Sequence, residues 1–321
     1  FKKASNIVSG ILVFMILAYT ATFYIDRAKF CILFFGVCVI LFGMKVLAGE
    51  IGLRKFEKLI GRTGIRLLIV TMMVLIAFAT IYIWTQYDFL IYERSGSATL
   101  LDKVVGGTVL IAVLLIVYMD AGPAIAIVTT TFIVYCLLGR YMPGVLKFSG
   151  FNFGKLAEIT VMQMQRGVYG SMLQTASTVV GLFIFLAALI ENLGGFDVIL
   201  KIVYLLARKS PYLVTQSAVF SSAVMGMFSG SGPANVAATG SITIPLMKRY
   251  NVSSPLAGAI EAVASAGGQI MPPIMGAAAF LMSEFLGIRY VEIAARSVLS
   301  AILFFASVGF TAYHVTKSEN I

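Results

Sequence analysis

Hydroxyl and amide side chains recur inside an apolar, glycine-rich stretch of this sequence. Ser231, Asn235, Thr239 and Thr243 follow one another at intervals of four residues, so one face of a helix would carry them all. Their oxygens are ligands of the kind that replace the hydration shell of a small alkali cation. Residues 229–247 contain no carboxylate, His or Cys. The alternative reading is that small residues simply let two helices approach closely.

Two groups of helix breakers interrupt the apolar sequence in this region. The first is Ser229-Gly-Ser-Gly-Pro233, and the second is Gly267-Gly-Gln-Ile-Met-Pro-Pro273. Non-helical backbone at membrane depth must lie inside protein or beside a watery cavity, because its polar groups find no partners in hydrocarbon. Broken helices near the midplane are typical of transport sites, where freed carbonyls bind cations and helix N-termini face anions. The pattern predicts a re-entrant hairpin over 212–247 and a broken helix over 255–287.

The composition predicts an all-α polytopic membrane protein. Hydrophobic residues make up 60% of the 321 residues and charged residues only 12%, which excludes a soluble globule of ordinary composition. The formal net charge of +10 comes from short loops between apolar spans, so it indicates membrane orientation and not a nucleic-acid partner. No redox or metal-binding spacing is present among the three cysteines, Cys31, Cys38 and Cys136.

We expect three parts along the chain. We predict a four-span scaffold over residues 1–120, a connector span and linker over residues 121–150, and a transport portion over residues 151–321. The transport portion is expected to contain arm helices, the hairpin, the broken helix and a last span over 291–313. The expected arm helices are Phe153–Arg166 and Phe196–Lys209. The other expected spans are Ile7–Ile25, Phe30–Ala48, Leu67–Thr85, Val104–Met119, Ala124–Leu138 and Ser171–Ile190.

One loop gives the main orientation signal. Between Lys45 and Arg66 the sequence carries six basic residues against two acidic ones. Because cytoplasmic loops are enriched in Lys and Arg, we place this loop and the N-terminus in the cytoplasm. Trp84 and Tyr87 would then form an aromatic anchor at the outer interface.

Two ionisable residues in the transport portion raise separate hypotheses. Glu261 follows Pro255 by about two helical turns. Intramembrane carboxylates are usually functional, so coupling or gating is one hypothesis, and a solvated carboxylate near a helix N-terminus is the other. His314 is the only histidine and would be the only possible base if Ser229 or Ser231 were the nucleophile of an intramembrane hydrolase.

Three motifs together resemble a known transporter family. They are Ser229-Gly-Ser-Gly-Pro-Ala-Asn-Val-Ala-Ala-Thr-Gly-Ser241, Ile244-Pro-Leu-Met-Lys-Arg249 and Gly267-Gly-Gln-Ile-Met-Pro-Pro-Ile-Met-Gly-Ala-Ala-Ala-Phe280. The chain resembles the fused membrane permease of tripartite ATP-independent periplasmic (TRAP) transporters, in particular the TAXI subgroup. The resemblance is close over 171–313, and over 1–150 it extends mainly to organisation, with the small-subunit portion of the permease in that place.

The resemblance implies sodium-coupled elevator transport of small organic anions, typically carboxylates, across the inner membrane. It implies no cofactor beyond Na⁺ as the coupling ion, no enzyme activity, and a periplasmic or tethered solute-binding protein as partner. The implied substrate contacts are Ser231, Gly232, Asn235, Gln269 and Pro272. The implied sodium contacts are Ser229, Gly230, Ser231, Asn235, Thr239, Ser265, Gly267 and Gly268. Glu261 is the coupling candidate.

The family's large portion has two inverted repeats, whereas residues 151–321 match one of them. The resemblance therefore implies that a second half of the permease is needed to complete the cavity. We expect these residues to be a fragment of a longer chain, a truncated gene product, or one of two polypeptides that together form the permease. The resemblance leaves a further hypothesis open, in which these residues serve as a structural or assembly subunit that does not transport by itself.

Overall fold

The computed structural model describes residues 2–22, 25–50, 54–94, 96–164, 167–195, 198, 201 and 211–318. The arm helix predicted at Phe196–Lys209 lies almost entirely outside the described residues. Over the described residues the fold is helical without strands, and seven helices are long and apolar enough to cross a membrane. The prediction of an all-α polytopic membrane protein is therefore confirmed.

The helices are named here in chain order. Those before residue 140 are α1 (Lys2–Thr22), α2 (Arg27–Leu47), α3 (Arg54–Thr85), α4 (Tyr87–Tyr92), α5 (Leu100–Asp120) and α6 (Pro123–Leu138). Those after residue 150 are α7 (Phe153–Ala157), α8 (Ser171–Thr175), α9 (Gly181–Asn192), α10 (Pro211–Ser229), α11 (Gly232–Arg249), α12 (Ser254–Gly267), α13 (Ala277–Leu286) and α14 (Tyr290–Ser318). A π-helical stretch, Ala176–Val180, joins α8 to α9 within the predicted span 171–190.

Helix ends in the first half follow local chemistry. The Asp26 carboxylate accepts a hydrogen bond from the Ala28 N–H at 2.9 Å and caps α2. Thr99 and Asp102 form a reciprocal capping box at the start of α5. Gly61 has φ +74° and breaks the helical geometry of α3, so the predicted span over 67–85 is the straight part of a longer helix.

The chain divides into two compact units, residues 1–178 and residues 179–321. The division falls inside the span 171–190 and does not coincide with the predicted boundaries at 120 and 150. Those boundaries stay predictions.

The first unit packs its spans around an apolar core with a small number of buried polar groups. Gly36 lets α2 approach α3, since a Cβ there would lie 2.4 Å from the Thr80 Oγ1. Asp102 is fully buried, and its carboxylate accepts a hydrogen bond from the Tyr82 hydroxyl at 2.6 Å. Arg94 lies 3.7 Å from the same carboxylate, so this buried charge has a counter-charge.

The predicted arm helix at Phe153–Arg166 is shorter and less regular than expected. After α7 the backbone forms a π-helical turn over Glu158–Met162 and then leaves helical geometry. The turn lies against α5, where a Cβ on Gly106 would be 2.9 Å from the Ala157 carbonyl oxygen. Glu158 is 4% exposed and accepts a hydrogen bond from the Lys155 ammonium at 2.6 Å. The amphipathic pattern of this segment reflects a buried carboxylate paired with a partly exposed lysine, as well as an apolar face.

The second unit contains both predicted interruptions. Helices α10 and α11 pack against each other as the predicted hairpin. Helix α12 packs against both of them, and α14 packs against α10. The broken helix consists of α12, a 3₁₀ turn over Gly268–Ile270, an irregular stretch, and α13. The core beneath these elements is apolar and includes Val214, Met247, Ala257 and Ala264.

Candidate transport site

The hairpin tip is a two-residue turn. Helix α10 ends at Ser229, Gly230 has φ +57°, and the Ser231 side chain caps α11. A Cβ on Gly230 would lie 2.1 Å from the Met275 carbonyl oxygen, so both the backbone conformation and the space at the tip require glycine. Pro233 occupies the first turn of α11, where a missing N–H costs no hydrogen bond.

The unwound segment after α12 has specific partners for its backbone. The Ile274 N–H donates to the Met227 carbonyl of α10 at 3.3 Å, which joins the segment to the hairpin. The Gly276 N–H donates to the Gln269 carbonyl at 2.7 Å. The Tyr290 hydroxyl of α14 lies 2.7 Å from the Pro273 carbonyl oxygen and 2.5 Å from that of Ile274. These contacts satisfy groups that a continuous helix would have paired internally.

Two close approaches bring the tip and the unwound segment together. A Cβ on Gly226 would lie 2.2 Å from the Gly268 Cα, so the two backbones touch. A Cβ on Gly232 would lie 3.0 Å from the Gln269 Nε2. The first turn of α11 therefore faces the start of the unwound segment.

Asn235 lies beside the contact between Gly226 and Gly268. Its side chain is fully buried, and its Nδ2 donates to the Ser222 carbonyl at 2.8 Å and to the Ser265 carbonyl at 3.5 Å. The Asn235 Oδ1 has no hydrogen-bond partner. Buried polar atoms are nearly always paired, so an unpaired amide oxygen marks a position where a ligand or water would bind.

Glu261 lies farther from the hairpin tip than Asn235, beside Thr239 and Thr243, and is fully buried. Four hydroxyls surround its carboxylate. The Ser222 and Ser265 hydroxyls donate to Oε1 at 2.9 and 3.0 Å, the Thr243 hydroxyl donates to Oε2 at 2.5 Å, and the Thr239 hydroxyl also donates to Oε1. The hypothesis of a solvated carboxylate is wrong, because helices α10 and α11 cover the face of α12 that carries Glu261.

The structure brings together most of the predicted site residues and separates a few. Asn235, Ser265 and Gly268 meet beside Gly226, and Ser231, Gly232 and Gln269 are neighbours at the tip. Ser229 lies at the same turn, where its hydroxyl is 3.4 Å from the Ser231 carbonyl oxygen.

Three predicted contacts lie away from the tip. The Thr239 hydroxyl bonds to Glu261. A Cβ on Gly267 would meet the Phe304 ring at 2.1 Å, so the Cβ position of Gly267 faces α14. Pro272 belongs to the part of the unwound segment that Tyr290 holds.

Sequence reasoning missed three residues that shape this site. Ser222 contacts both Asn235 and Glu261, Gly226 permits the contact with Gly268, and Tyr290 fixes the unwound segment. Ser222 and Gly226 are four residues apart on α10, a spacing of small residues that indicates a close helix contact. Nothing local to Tyr290 indicates its role, because its partners are 16 and 17 residues earlier in the chain.

The arrangement does not support a serine nucleophile. The His314 ring packs against the Phe310 and Tyr313 rings of its own helix, with centroids 4.3 and 5.4 Å apart. The Ser229 and Ser231 hydroxyls bond within the hairpin turn instead. What the site offers is a set of hydroxyl, amide and carboxylate oxygens beside a helix N-terminus, which suits ion binding more than covalent chemistry.

Comparison with known proteins identifies the family of this chain. Searches of curated proteins and of solved structures gave no match. A family model described as the DctM component of the tripartite ATP-independent periplasmic transporter matches residues 108–321, which is more than half of the chain and includes the hairpin and the broken helix. The chain therefore belongs to the DctM family of TRAP transporter membrane components.

Proposed function

We propose that this chain is the membrane permease component of a TAXI-type TRAP transporter that couples Na⁺ entry to the uptake of small organic anions. Its substrates are carboxylates, which it receives from a periplasmic or tethered solute-binding protein, and it works with a partner half of the permease. The proposal rests on family membership together with the tip and the unwound segment, whose motifs resemble that subgroup.

The observation that carries the proposal is the unpaired Asn235 Oδ1 beside the paired breaks. The Asn235 Nδ2 donates hydrogen bonds to two backbone carbonyls, which fixes the orientation of the whole amide. The Oδ1 of the same amide is therefore preorganised to bind a cation or to accept a hydrogen bond. The N-terminal end of α11, which Ser231 caps, would present the positive end of its helix dipole to an anionic carboxylate. Cation and substrate would then bind on adjacent sides of one turn.

The proposed mechanism is a population shift between inward- and outward-facing positions. The hairpin and the broken helix move as a body against a scaffold made by residues 1–150 and the arms, and Na⁺ orders the two loops before the substrate binds. The N-terminus and the basic loop 45–66 lie in the cytoplasm in this proposal.

Uptake measurements test the proposal. The complete permease and its binding protein are reconstituted in proteoliposomes, and uptake of a radiolabelled carboxylate mixture is followed with NaCl or choline chloride outside. We expect Na⁺-dependent uptake that falls at least about tenfold in Asn235→Ala, since a lost polar contact at a binding site costs about 1.4 kcal/mol or more. Ser231→Ala should also reduce uptake.

Ser241→Ala is the matched control for Ser231→Ala. Ser241 is exposed on the same helix, and its hydroxyl bonds to the Ala238 carbonyl at 3.0 Å. Unchanged uptake in both Asn235→Ala and Ser231→Ala would remove the site assignment. The absence of flux from the complete reconstituted system would favour an assembly role over transport.

A further inference from the structure

The loop over residues 139–151, which follows α6, is tied to the helix that precedes it. The Phe148 N–H donates a hydrogen bond to the Gly139 carbonyl at 3.1 Å, and the Phe151 N–H donates to the Cys136 carbonyl at 2.9 Å. These bonds fold the loop back along the last turns of α6. Helix α6 belongs to one of the apolar segments that are long enough to cross a membrane, so the loop is held at the level where that span ends.

Aromatic rings fill the inner side of this loop. The Phe148 ring centroid lies 5.2 Å from that of Tyr135 and 6.0 Å from that of Phe151. Gly139 makes room for the Phe148 ring, because a Cβ there would lie 2.0 Å from the Phe148 Cε1. The Tyr135 hydroxyl donates a hydrogen bond to the Leu146 carbonyl at 2.9 Å. The loop is therefore a folded element with a defined inner side and a defined outer side.

The outer side carries three large apolar residues. Val145 is fully exposed, and Tyr141 and Leu146 are 77% and 58% exposed. We call these three residues the apolar patch. Full contact with water is unfavourable for such a group of side chains, whereas the boundary between headgroups and acyl chains accommodates apolar side chains and the amphipathic ring of tyrosine.

The charge of the loop matches an anionic membrane surface. Arg140 and Lys147 flank the apolar patch along the chain and are both exposed. The sequence contains no Asp or Glu between residues 121 and 157, so nearby acidic residues in the sequence do not offset these two charges. Long basic side chains can keep their apolar stems near the hydrocarbon while the charged end reaches a phosphate group.

We propose that the loop over residues 139–151 inserts its apolar patch into the headgroup boundary of the bilayer, while its two basic side chains contact the phosphate groups of anionic lipids. The level of the loop, at the end of a span, and its positive charge favour lipid over a soluble protein partner. Because the chain continues from this loop into α7, the insertion holds the connection between α6 and α7 at the membrane surface. The inference does not depend on the substrate or the coupling ion of the proposed function.

Fluorescence quenching in vesicles tests the depth of the apolar patch. Val145→Cys is made in the full chain with its three native cysteines replaced by alanine, labelled with the environment-sensitive fluorophore NBD, and reconstituted in phosphatidylcholine mixed with phosphatidylglycerol. Lipids that carry a doxyl group near the headgroup should quench the label strongly. Iodide in the buffer should quench it weakly.

Ser97→Cys with the same fluorophore is the matched control, so any affinity of the label itself for lipid is common to both proteins. Ser97 is exposed in the polar loop before α5. Helices α5 and α6 pack together and are joined by two residues, so Ser97 and Val145 lie at the same end of the first unit. The label at Ser97 should be quenched strongly by iodide and weakly by the doxyl lipids.

The basic side chains are tested by Arg140→Gln and Lys147→Gln in the labelled Val145→Cys protein. Each basic residue near an anionic surface should raise the ratio of inserted to water-exposed label about fivefold, so each substitution should lower that ratio about fivefold. Vesicles of phosphatidylcholine alone should show little effect of either substitution. If the cysteine-free protein does not fold, Val145→Cys is made in the parent with its native cysteines, and the signal of the labelled parent is subtracted.

Iodide quenching at Val145 as strong as at Ser97, without quenching by the doxyl lipids, would place the apolar patch in water. That result would overturn the inference and leave this side of the loop open to a protein partner. Equal quenching by doxyl lipids with and without phosphatidylglycerol, and in both glutamine variants, would overturn the proposed contact between the basic side chains and anionic lipids.

Discussion

The contact between Gly226 and Gly268 can be tested with a single methyl group. An added Cβ at Gly226 would lie 2.2 Å from the Gly268 Cα and 3.3 Å from the Asn235 Nδ2. Carbon atoms in contact prefer separations of about 3.5–4.0 Å, so Gly226→Ala must move α10 and the unwound segment about 1.5 Å apart. The atom that blocks the methyl group belongs to the backbone and cannot rotate away.

The expected effects on stability and transport differ in size. Overpacking costs about 1–3 kcal/mol, and alanine regains about 1 kcal/mol of helix propensity, so the net loss of unfolding free energy is about 0–2 kcal/mol. The site tolerates far less than a displacement of 1.5 Å, since binding geometries need to be held within about 0.5 Å. Uptake in the reconstituted system should therefore fall about tenfold or more while the protein stays folded.

Gly258→Ala is the matched control. Gly258 also lies within a helix of the second unit, and a Cβ there meets no atom within 4 Å. This variant should unfold at the same temperature as the parent protein or slightly higher, and transport normally. Thermal unfolding followed by far-UV circular dichroism gives the stability, and Na⁺-dependent uptake gives the function. Parent-like uptake by Gly226→Ala would refute the claim that hairpin and unwound segment must touch, and an equal loss in Gly258→Ala would make the effect non-specific.

Two further substitutions test the supports of each unit. Tyr290→Phe removes the hydroxyl that contacts the Pro273 and Ile274 carbonyls but keeps the ring stack on Phe280. Amide hydrogen exchange over peptides 268–276 should speed up by about 2- to 13-fold, equivalent to about 0.5–1.5 kcal/mol. An unchanged exchange rate would show that the hydrogen bond adds no stability. Asp102→Ala removes the capping box of α5 and leaves the Tyr82 hydroxyl without its partner, so the first unit should lose about 1–3 kcal/mol of unfolding free energy. Thermal unfolding followed through the single tryptophan measures the loss, and an unchanged unfolding temperature would show that these contacts add no stability.

The single tryptophan and all three cysteines lie in the first unit, which affects how these experiments are read. Trp84 fluorescence reports on unfolding near α3 and not on the hairpin. Exchange or circular dichroism is therefore needed for substitutions in the second unit. The same distribution leaves the transport site free of thiols, so cysteines introduced at the tip would be the only ones in residues 179–321.

Sequence reasoning located the breaks because helix-breaking residues act locally. Gly230 adopts a positive φ that favours glycine, and Pro272 and Pro273 both lack the N–H that a helix needs, so each segment favours a break through its own residues. The spans followed from hydropathy for the same reason. Their ends shifted by a few residues, as at α14, which begins at Tyr290 and continues to Ser318 beyond the predicted end at Tyr313.

The arm at 153–166 was harder to predict, because its pattern has two causes. Lys155 and Glu158 read as the polar face of an interfacial helix, whereas in the structure Glu158 is buried on a π-helical turn and pairs with the partly exposed Lys155 of α7. A glycine in α5, Gly106, makes room for that turn, and it is about 50 residues away. A local periodicity cannot distinguish a carboxylate that faces water from one that a neighbouring helix covers.

The sequence by itself determined that this chain is a helical membrane protein with two interrupted segments, because hydropathy and backbone-breaking residues act within a few positions of where they occur. The environment of Glu261 was decided only by tertiary structure. Its four hydroxyl partners come from three helices and are separated from it by 4 to 39 residues along the chain. Whether a carboxylate meets water or a shell of hydroxyls depends on which helix faces it, and that is a property of packing.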